Sequence, residues 1–207
     1  MNFVWIFIFS GIVSYLLGAV PFGYLISRSR GIDIRHTGSG NIGATNVFRS
    51  VGKAAGLLTF FCDVLKGFIA AFLIPIVIEH FFQLENIELM KILGACMAVI
   101  GHNWPVYLQF KGGKGIAVST GALLGIAPSA MGIVFVSWAV VFLLFRYVSA
   151  ASIFAALVLP VSAWLLYDNL LIRLSLAAFA VLAICRHKSN IKRLIKGTEN
   201  RFEFRKR

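Results

Sequence analysis

The sequence predicts an all-α integral membrane protein of seven transmembrane helices, N-terminus outside and C-terminus cytoplasmic, with glycine-rich loops on the cytoplasmic side. Of its 207 residues, 59% are apolar and only 14% charged, whereas a soluble globular chain carries roughly 25% charge. The apolar residues run in blocks of about 18 or more, long enough to cross a hydrocarbon core of about 30 Å as helices. The basic residues behind the net charge of +12 sit in the gaps between those blocks. That placement fits helix ends facing anionic head groups and excludes nucleic acid as a partner.

The spans fall near residues 3–25, 54–78, 89–109, 113–127, 129–146, 149–167 and 169–185, followed by a basic tail over 186–207, and the whole reads as one transmembrane domain. The run from Phe3 to Val20 has no basic residue before it and no small-residue cleavage pattern after it, so it reads as a retained span and not a signal peptide. The second span carries Asp63 and Lys66 three residues apart. An ionisable group inside a span costs about 2.5 to 3.5 kcal/mol, so the two are expected to pair with each other, although Lys66 near the inner end would also suit an anion site. The third span holds His102, read first as a helix-packing histidine bonded to a carbonyl and second as a base. Ser149 and Ser152 open the sixth span, where a serine either caps the helix or reaches a ligand. Cys62, Cys96 and Cys185 each lie inside an apolar run, at no ligand or redox spacing.

The fourth span is the ambiguous one, because about 15 residues reach only about 22 Å. Charge arbitrates. If it crosses, Arg28, Arg30, Arg35, Arg49, Lys53, Lys111, Lys114, Arg146 and the tail from Arg186 onward share one side, with Glu79, Glu85, Glu88 and Asp168 opposite. If it dips in and returns, the tail lands opposite the first basic loop, against the positive-inside rule. Seven spans are therefore preferred over six.

Three polar segments fall on the expected cytoplasmic side. In residues 38–53, Gly38, Gly40 and Gly43 remove side chains, Ser39, Asn41, Thr45 and Asn46 offer short polar groups, and Arg49 supplies a two-pronged cation. Such a loop lets backbone N–H groups approach a phosphate and can feed a short helix N-terminus. It lacks the Gly-Lys-Ser/Thr ending of a Walker loop, and glycines alone also suit a tight interfacial connection. In residues 101–115, Lys111 and Lys114 flank Gly112 and Gly113, with Trp104 and Tyr107 as interfacial aromatics. In residues 186–201, His187 and Asn190 share a helical face, while Lys196, Arg205, Lys206 and Arg207 suit a polybasic surface for anionic lipid. His36, His80, His102 and His187 are scattered, so no metal site is expected.

Together GSGNIGATNVFR, GHNWPVYLQFKGGKG and RHKSNIKRLIKGTENR resemble the three signatures of the bacterial acyl-phosphate:glycerol-3-phosphate acyltransferase family, in order and over nearly the whole chain. The resemblance implies a seven-helix enzyme of the bacterial inner (plasma) membrane with a cytoplasmic active site. It joins an acyl chain from acyl phosphate to the sn-1 hydroxyl of glycerol 3-phosphate, giving lysophosphatidic acid and phosphate, the first committed step of phospholipid synthesis. It implies no cofactor, membrane lipids as partners, and a monomer or weak oligomer. Catalytic roles then fall on Lys114, Arg49, His187 and Asn190, and substrate binding on Ser39, Gly40, Asn41, Gly43, Thr45, Asn46, Lys111, Gly112, Gly113 and Ser152. No His is followed five residues later by Asp, the acid-base pair of acyl-CoA and acyl-carrier acyltransferases. An acyl phosphate needs less help, so positioning and charge neutralisation are expected to suffice, with the donor's own phosphate or His187 taking the proton and no acyl-enzyme forming. Two rivals stand beside it. An anion transporter requires polar groups at successive depths. A lipid-binding scaffold leaves the paired glycine loops unexplained.

Overall fold

The computed structural model describes residues 3–83 and 86–202; Glu85, placed outside above, and Arg205, Lys206 and Arg207 of the tail lie outside the described residues. Regular structure among the described residues is helical throughout: α1 (Phe3–Ala19), α2 (Phe22–Arg28), α3 (Ala44–Ser50), α4 (Lys53–Phe68), α5 (Ile74–Phe82), α6 (Ile87–Asn103), α7 (Ile116–Ile126), α8 (Pro128–Phe145), α9 (Val148–Leu166), α10 (Leu170–Arg186) and α11 (Lys188–Ile195). By length and apolarity, Phe3–Arg28, Lys53–Phe82, Pro128–Phe145 and Val148–Leu166 can each cross a membrane, and Leu170–Arg186 with Lys188–Ile195, bent by 56°, makes a fifth if taken as one span. Large apolar side chains such as Phe61, Phe135, Leu144 and Leu165 stand more than half exposed along these helices, as a lipid-facing surface requires.

The chain forms two compact units, Met1–Ile126 and Ala127–Arg207. In the first, α1 packs on α6 and α4 on α7. Both contacts are glycine-mediated. A methyl at Gly18 would meet the Ala98 backbone and one at Gly101 the Tyr15 carbonyl; a methyl at Gly67 would meet the Val118 carbonyl and one at Gly121 the Val64 carbonyl. Lipid offers no hydrophobic drive between helices, so close backbone approach at small residues supplies the attraction. Pro21 ends α1, and α4 continues into α5 through a π-helical stretch at Ile69–Leu73 just before Pro75. A proline in a helix crowds the carbonyl four residues earlier, and a locally widened turn takes up that misfit.

Two expected boundaries move. The third span was placed through 109, but α6 ends at Asn103, because Pro105 has no N–H to continue the ladder and leaves Trp104 at φ −134°. His102 therefore lies in the last turn of α6 and not two turns inside a span. The fourth span was placed from 113, but α7 begins at Ile116 and runs 11 residues, about 16 Å; residues 111–115 have no regular structure.

In the second unit, α9 packs against α8, α10 and α11. Asn169 caps α10 by accepting from the Leu171 and Ile172 N–H groups. The chain after α11 folds back onto the α8–α9 turn: Phe202 N donates to Arg146 O at 2.7 Å, and the Phe202 ring meets Phe142 edge-on at 5.4 Å. Residues 197–202 are thus docked protein and not a free lipid-binding tail.

Gly121→Val is expected to force α4 and α7 apart and destabilise the protein by about 2 to 4 kcal/mol. Gly132→Ala in α8, where an added methyl meets nothing within 4 Å, should be neutral or stabilise by up to about 1 kcal/mol through helix propensity. Thermal unfolding of the two purified variants in detergent checks both.

Candidate functional site

The first glycine loop is organised around one side chain. Asn46, in the first turn of α3 and 6% exposed, donates from Nδ2 to Thr37 O and Asn41 O, both at 2.9 Å, and accepts at Oδ1 from Ser39 N at 3.0 Å. Gly38 (φ +62°) and Gly40 (φ +70°) take left-handed turns on either side of Ser39, and a side chain at Gly38 would collide with Asn46 Oδ1. Asn41 Oδ1 accepts from Gly43 N at 2.8 Å in an Asx turn that leads into α3. Asn41 and Asn46 thus commit their amides largely to holding the loop, which leaves Ser39 and Gly40 exposed, Thr45 half-buried and Arg49 exposed on α3. Just before the loop, the Arg35 guanidinium forks onto Asp33 at 2.9 and 2.6 Å and holds its carboxyl well below the usual carboxylate range.

The second loop leaves α6 at Pro105, passes a short 3-10 turn at Val106–Leu108 and takes left-handed conformations at Gln109 and Phe110. For a bulky residue such as Phe110 this is strained, and Phe110 N donating to Pro105 O at 2.9 Å holds it there. The chain then doubles back on the end of α6, where Gly113 N donates to His102 O at 3.1 Å. Methyl groups at Gly112 and Gly113 would meet His102 O and His102 Nε2. Lys111 is exposed at the mouth and Lys114 half-buried. One apolar cluster ties the two loops to each other: Ile34, Ile42 and Val47 from the first pack with Leu108 from the second and Ala55 of α4. The structure therefore brings the segments carrying Arg49 and Lys114 to the same end of this unit.

In the second unit, His187 is 3% exposed and its Nδ1 lies 2.8 Å from Ala183 O. A carbonyl only accepts, so Nδ1 carries the proton and Nε2 holds the lone pair of the neutral ring. Asn190 donates from Nδ2 to Glu199 Oε1 at 2.7 Å, while its Oδ1 is buried with no hydrogen-bond partner among the described residues. Ser152 donates to Val148 O at 2.8 Å and accepts from Trp138 Nε1 at 3.2 Å. Ser149 donates to Glu199 Oε1 at 2.8 Å, and Arg193 Nε to Oε2 at 2.7 Å. Glu199, which sequence reasoning passed over, is the hub of this cluster. Its signal was its isolation, as the one carboxylate within the basic stretch 186–201. Burial pushes its carboxyl up, but the hydrogen bonds from Asn190, Ser149 and Arg193 outweigh burial and hold it below its ordinary value. Among the described residues, no three of His, Cys, Asp and Glu gather where a metal ion would sit.

Residues 8–197 match the family model described as Glycerol-3-phosphate acyltransferase. The chain belongs to the glycerol-3-phosphate acyltransferase family. A relative of that name from Desulforamulus reducens is 44% identical over 191 residues, 90% of each chain, and one from Aquifex aeolicus 39% identical over 195 residues, 94% of this chain and 98% of the other. The fold matches the crystal structure of PlsY (YgiH), an integral membrane glycerol 3-phosphate acyltransferase, in its glycerol 3-phosphate form, with TM-score 0.86, 38% identity, and coverage of 95% and 96%. The lysophosphatidic acid form of PlsY matches at TM-score 0.83 and 37% identity, covering 95% of each chain. The family match includes both glycine loops, His187 and Asn190, and stops two residues before Glu199.

Two predictions follow from this geometry. Asn46→Asp keeps the side-chain shape but removes both amide donors and turns a carboxylate toward the Thr37 and Asn41 carbonyls; it is expected to destabilise the loop by about 2 to 3 kcal/mol, read as faster amide hydrogen exchange over 37–43 than in Thr45→Ala. Glu199 has a lowered carboxyl pKa, so its stabilisation is complete above the ordinary glutamate range and is lost as pH falls through that range and below it. Glu199→Gln should lower stability by about 2 kcal/mol at pH 7 and flatten the acid limb as pH falls through the ordinary glutamate range and below it, measured as unfolding midpoint against pH.

Proposed function

We propose that the protein transfers a fatty acyl group from acyl phosphate to the sn-1 hydroxyl of glycerol 3-phosphate, yielding lysophosphatidic acid and inorganic phosphate for phospholipid synthesis. It does so as a multi-pass enzyme of the bacterial inner membrane, with its working face toward the cytoplasm. With α6 and α7 counted as crossing elements beside the five apolar spans, the chain crosses seven times and its basic loops share the inner side. The observation that carries this reading, beyond family membership, is the pair of glycine loops bearing Arg49 and Lys114, held to one apolar cluster.

Both substrates and both products are phosphate anions. Ser39 and Thr45 supply hydroxyls and Arg49, Lys111 and Lys114 supply cations suited to phosphate oxygens, while Gly40, Gly112 and Gly113 leave room for the anion to approach the backbone. The hydroxyl oxygen attacks the carbonyl carbon of the acyl phosphate, the carbon–oxygen bond to phosphate breaks, and phosphate leaves with the electron pair. The hydroxyl proton passes to the donor's phosphate or to His187 Nε2, which carries the lone pair when the ring is neutral because Nδ1 donates to Ala183 O. The unsatisfied Asn190 Oδ1 suits a substrate hydroxyl as acceptor, and Ser152, oriented by Trp138, retains acceptor capacity for a ligand. A mixed anhydride with a good leaving group needs no acyl-enzyme, so no covalent intermediate forms, and no cofactor takes part. The protein works as a monomer or weak oligomer.

Purified protein given acyl phosphate and labelled glycerol 3-phosphate should release lysophosphatidic acid, and Lys114→Ala should lower kcat/KM about 100-fold or more. Phosphate uptake into liposomes without any product would instead make the protein a transporter, and an acylated side chain trapped with a slow donor would replace the direct attack by a two-step route.

A further inference from the structure

Three ionisable side chains lie deep in the first unit, away from the exposed loop residues. Asp63 and Lys66 of α4 and His102 of α6 have side chains only 2%, 1% and 5% exposed. Around the Lys66 ammonium stand three acceptors. Asp63 Oδ1 forms an ion pair at 2.9 Å, Val20 O accepts at 2.7 Å, and His102 Nδ1 lies at 3.1 Å. An ammonium has three N–H groups and no lone pair, so toward all three it can only donate. Val20 O is a carbonyl exposed at the break between α1 and α2, where Pro21 interrupts the helix. The Phe22 ring, 5.6 Å from Nζ, closes another side.

This arrangement fixes the imidazole. With Nδ1 accepting from Lys66, the ring proton belongs on Nε2, and Nε2 occupies the space that a side chain at Gly113 would need. The Gly113 N–H is bound to the His102 carbonyl at 3.1 Å, so the same residue grips the loop through its backbone and backs it with its ring. Replacing the ionic pair by apolar residues would be no worse for stability in general, which leaves its geometry as the reason a membrane helix would carry it.

We propose that Asp63, Lys66 and His102 are positioning residues: the Asp63–Lys66 pair locks His102, and His102 sets the Gly112–Gly113 backbone at the spacing that admits a substrate phosphate. The assignment rests on the acyltransfer reading above. It predicts a defect in anion affinity and not in turnover.

The test uses the full chain in nanodiscs, with the equilibrium Kd for glycerol 3-phosphate, KM and kcat with acyl phosphate, and the thermal midpoint. His102→Asn keeps an acceptor near the Nδ1 position but does not reach the loop. It should raise Kd and KM for glycerol 3-phosphate at least 10-fold with kcat within threefold of wild type. His102→Gln, whose amide nitrogen reaches the Nε2 position but which offers Lys66 no acceptor in place of Nδ1, should raise Kd and KM at least threefold less than His102→Asn does, with kcat within threefold of wild type. An unchanged Kd in His102→Asn, or equal losses in the two variants, overturns the assignment. Should His102→Asn not fold, the double variant Asp63→Asn/Lys66→Met, which removes both charges together, decides: a 10-fold weaker Kd supports it and an unchanged Kd overturns it. Wild type that binds glycerol 3-phosphate but makes no product refutes the acyltransfer reading alone, leaving the positioning claim to the Kd values. Wild type that does not bind it refutes both.

Discussion

Water does not reach the interior of helices this apolar, so a charge placed there has to find its partners within the chain. Lys66 meets that constraint most completely, with a carboxylate, a backbone carbonyl and an imidazole nitrogen around one ammonium. Because the three acceptors come from α4, from the α1–α2 break and from the end of α6, satisfying one charge also fixes three chain segments against each other. The glycine contacts at Gly18, Gly101, Gly67 and Gly121 make this possible by letting the helix backbones approach. Without that closeness the ammonium would lose its acceptors, and its burial would turn from neutral to costly.

The same economy recurs at the polar ends. Asn46 collects a backbone N–H and two carbonyls of the first glycine loop through a single amide, and Glu199 collects Ser149, Asn190 and Arg193 through a single carboxylate. Each hub fixes the segments around it through several hydrogen bonds to one side chain. A glycine loop cannot rely on its own packing, since its glycines have none to offer. Its rigidity has to come from a residue placed behind it: Asn46 in the first loop, His102 in the second.

That division clarifies the residue roles. Ser39, Arg49 and Lys111 are exposed and Lys114 half-buried, while Asn46 and His102 are buried. In the acyltransfer reading proposed above, changes to the first group act on substrate charge directly and changes to the second through loop geometry. The docking of Arg201 and Phe202 on the α8–α9 turn likewise converts part of a basic tail into structure, leaving exposed cations such as Lys188, Lys192 and Lys196 for anionic head groups.

The helical class, the membrane as solvent and the three polar segments were legible in the sequence, because apolar block length and the placement of cations depend only on local composition. The Asp63–Lys66 pair was legible too, since a three-residue spacing puts both groups on one helical face. Helix ends at Asn103 and Ile116 were not, because hydropathy runs on through Pro105 and the loop while the backbone stops where an N–H is missing. The carbonyl partner expected for His102 proved to be Lys66, and Glu199 became a hub only once the tail folded back. Composition and spacing thus determined which groups the protein owns and at which helix ends they lie. Which of them touch was decided only by tertiary packing, because partners such as Lys66 and Val20, or Ser149 and Glu199, are brought within hydrogen-bond reach by close contacts that no local pattern encodes.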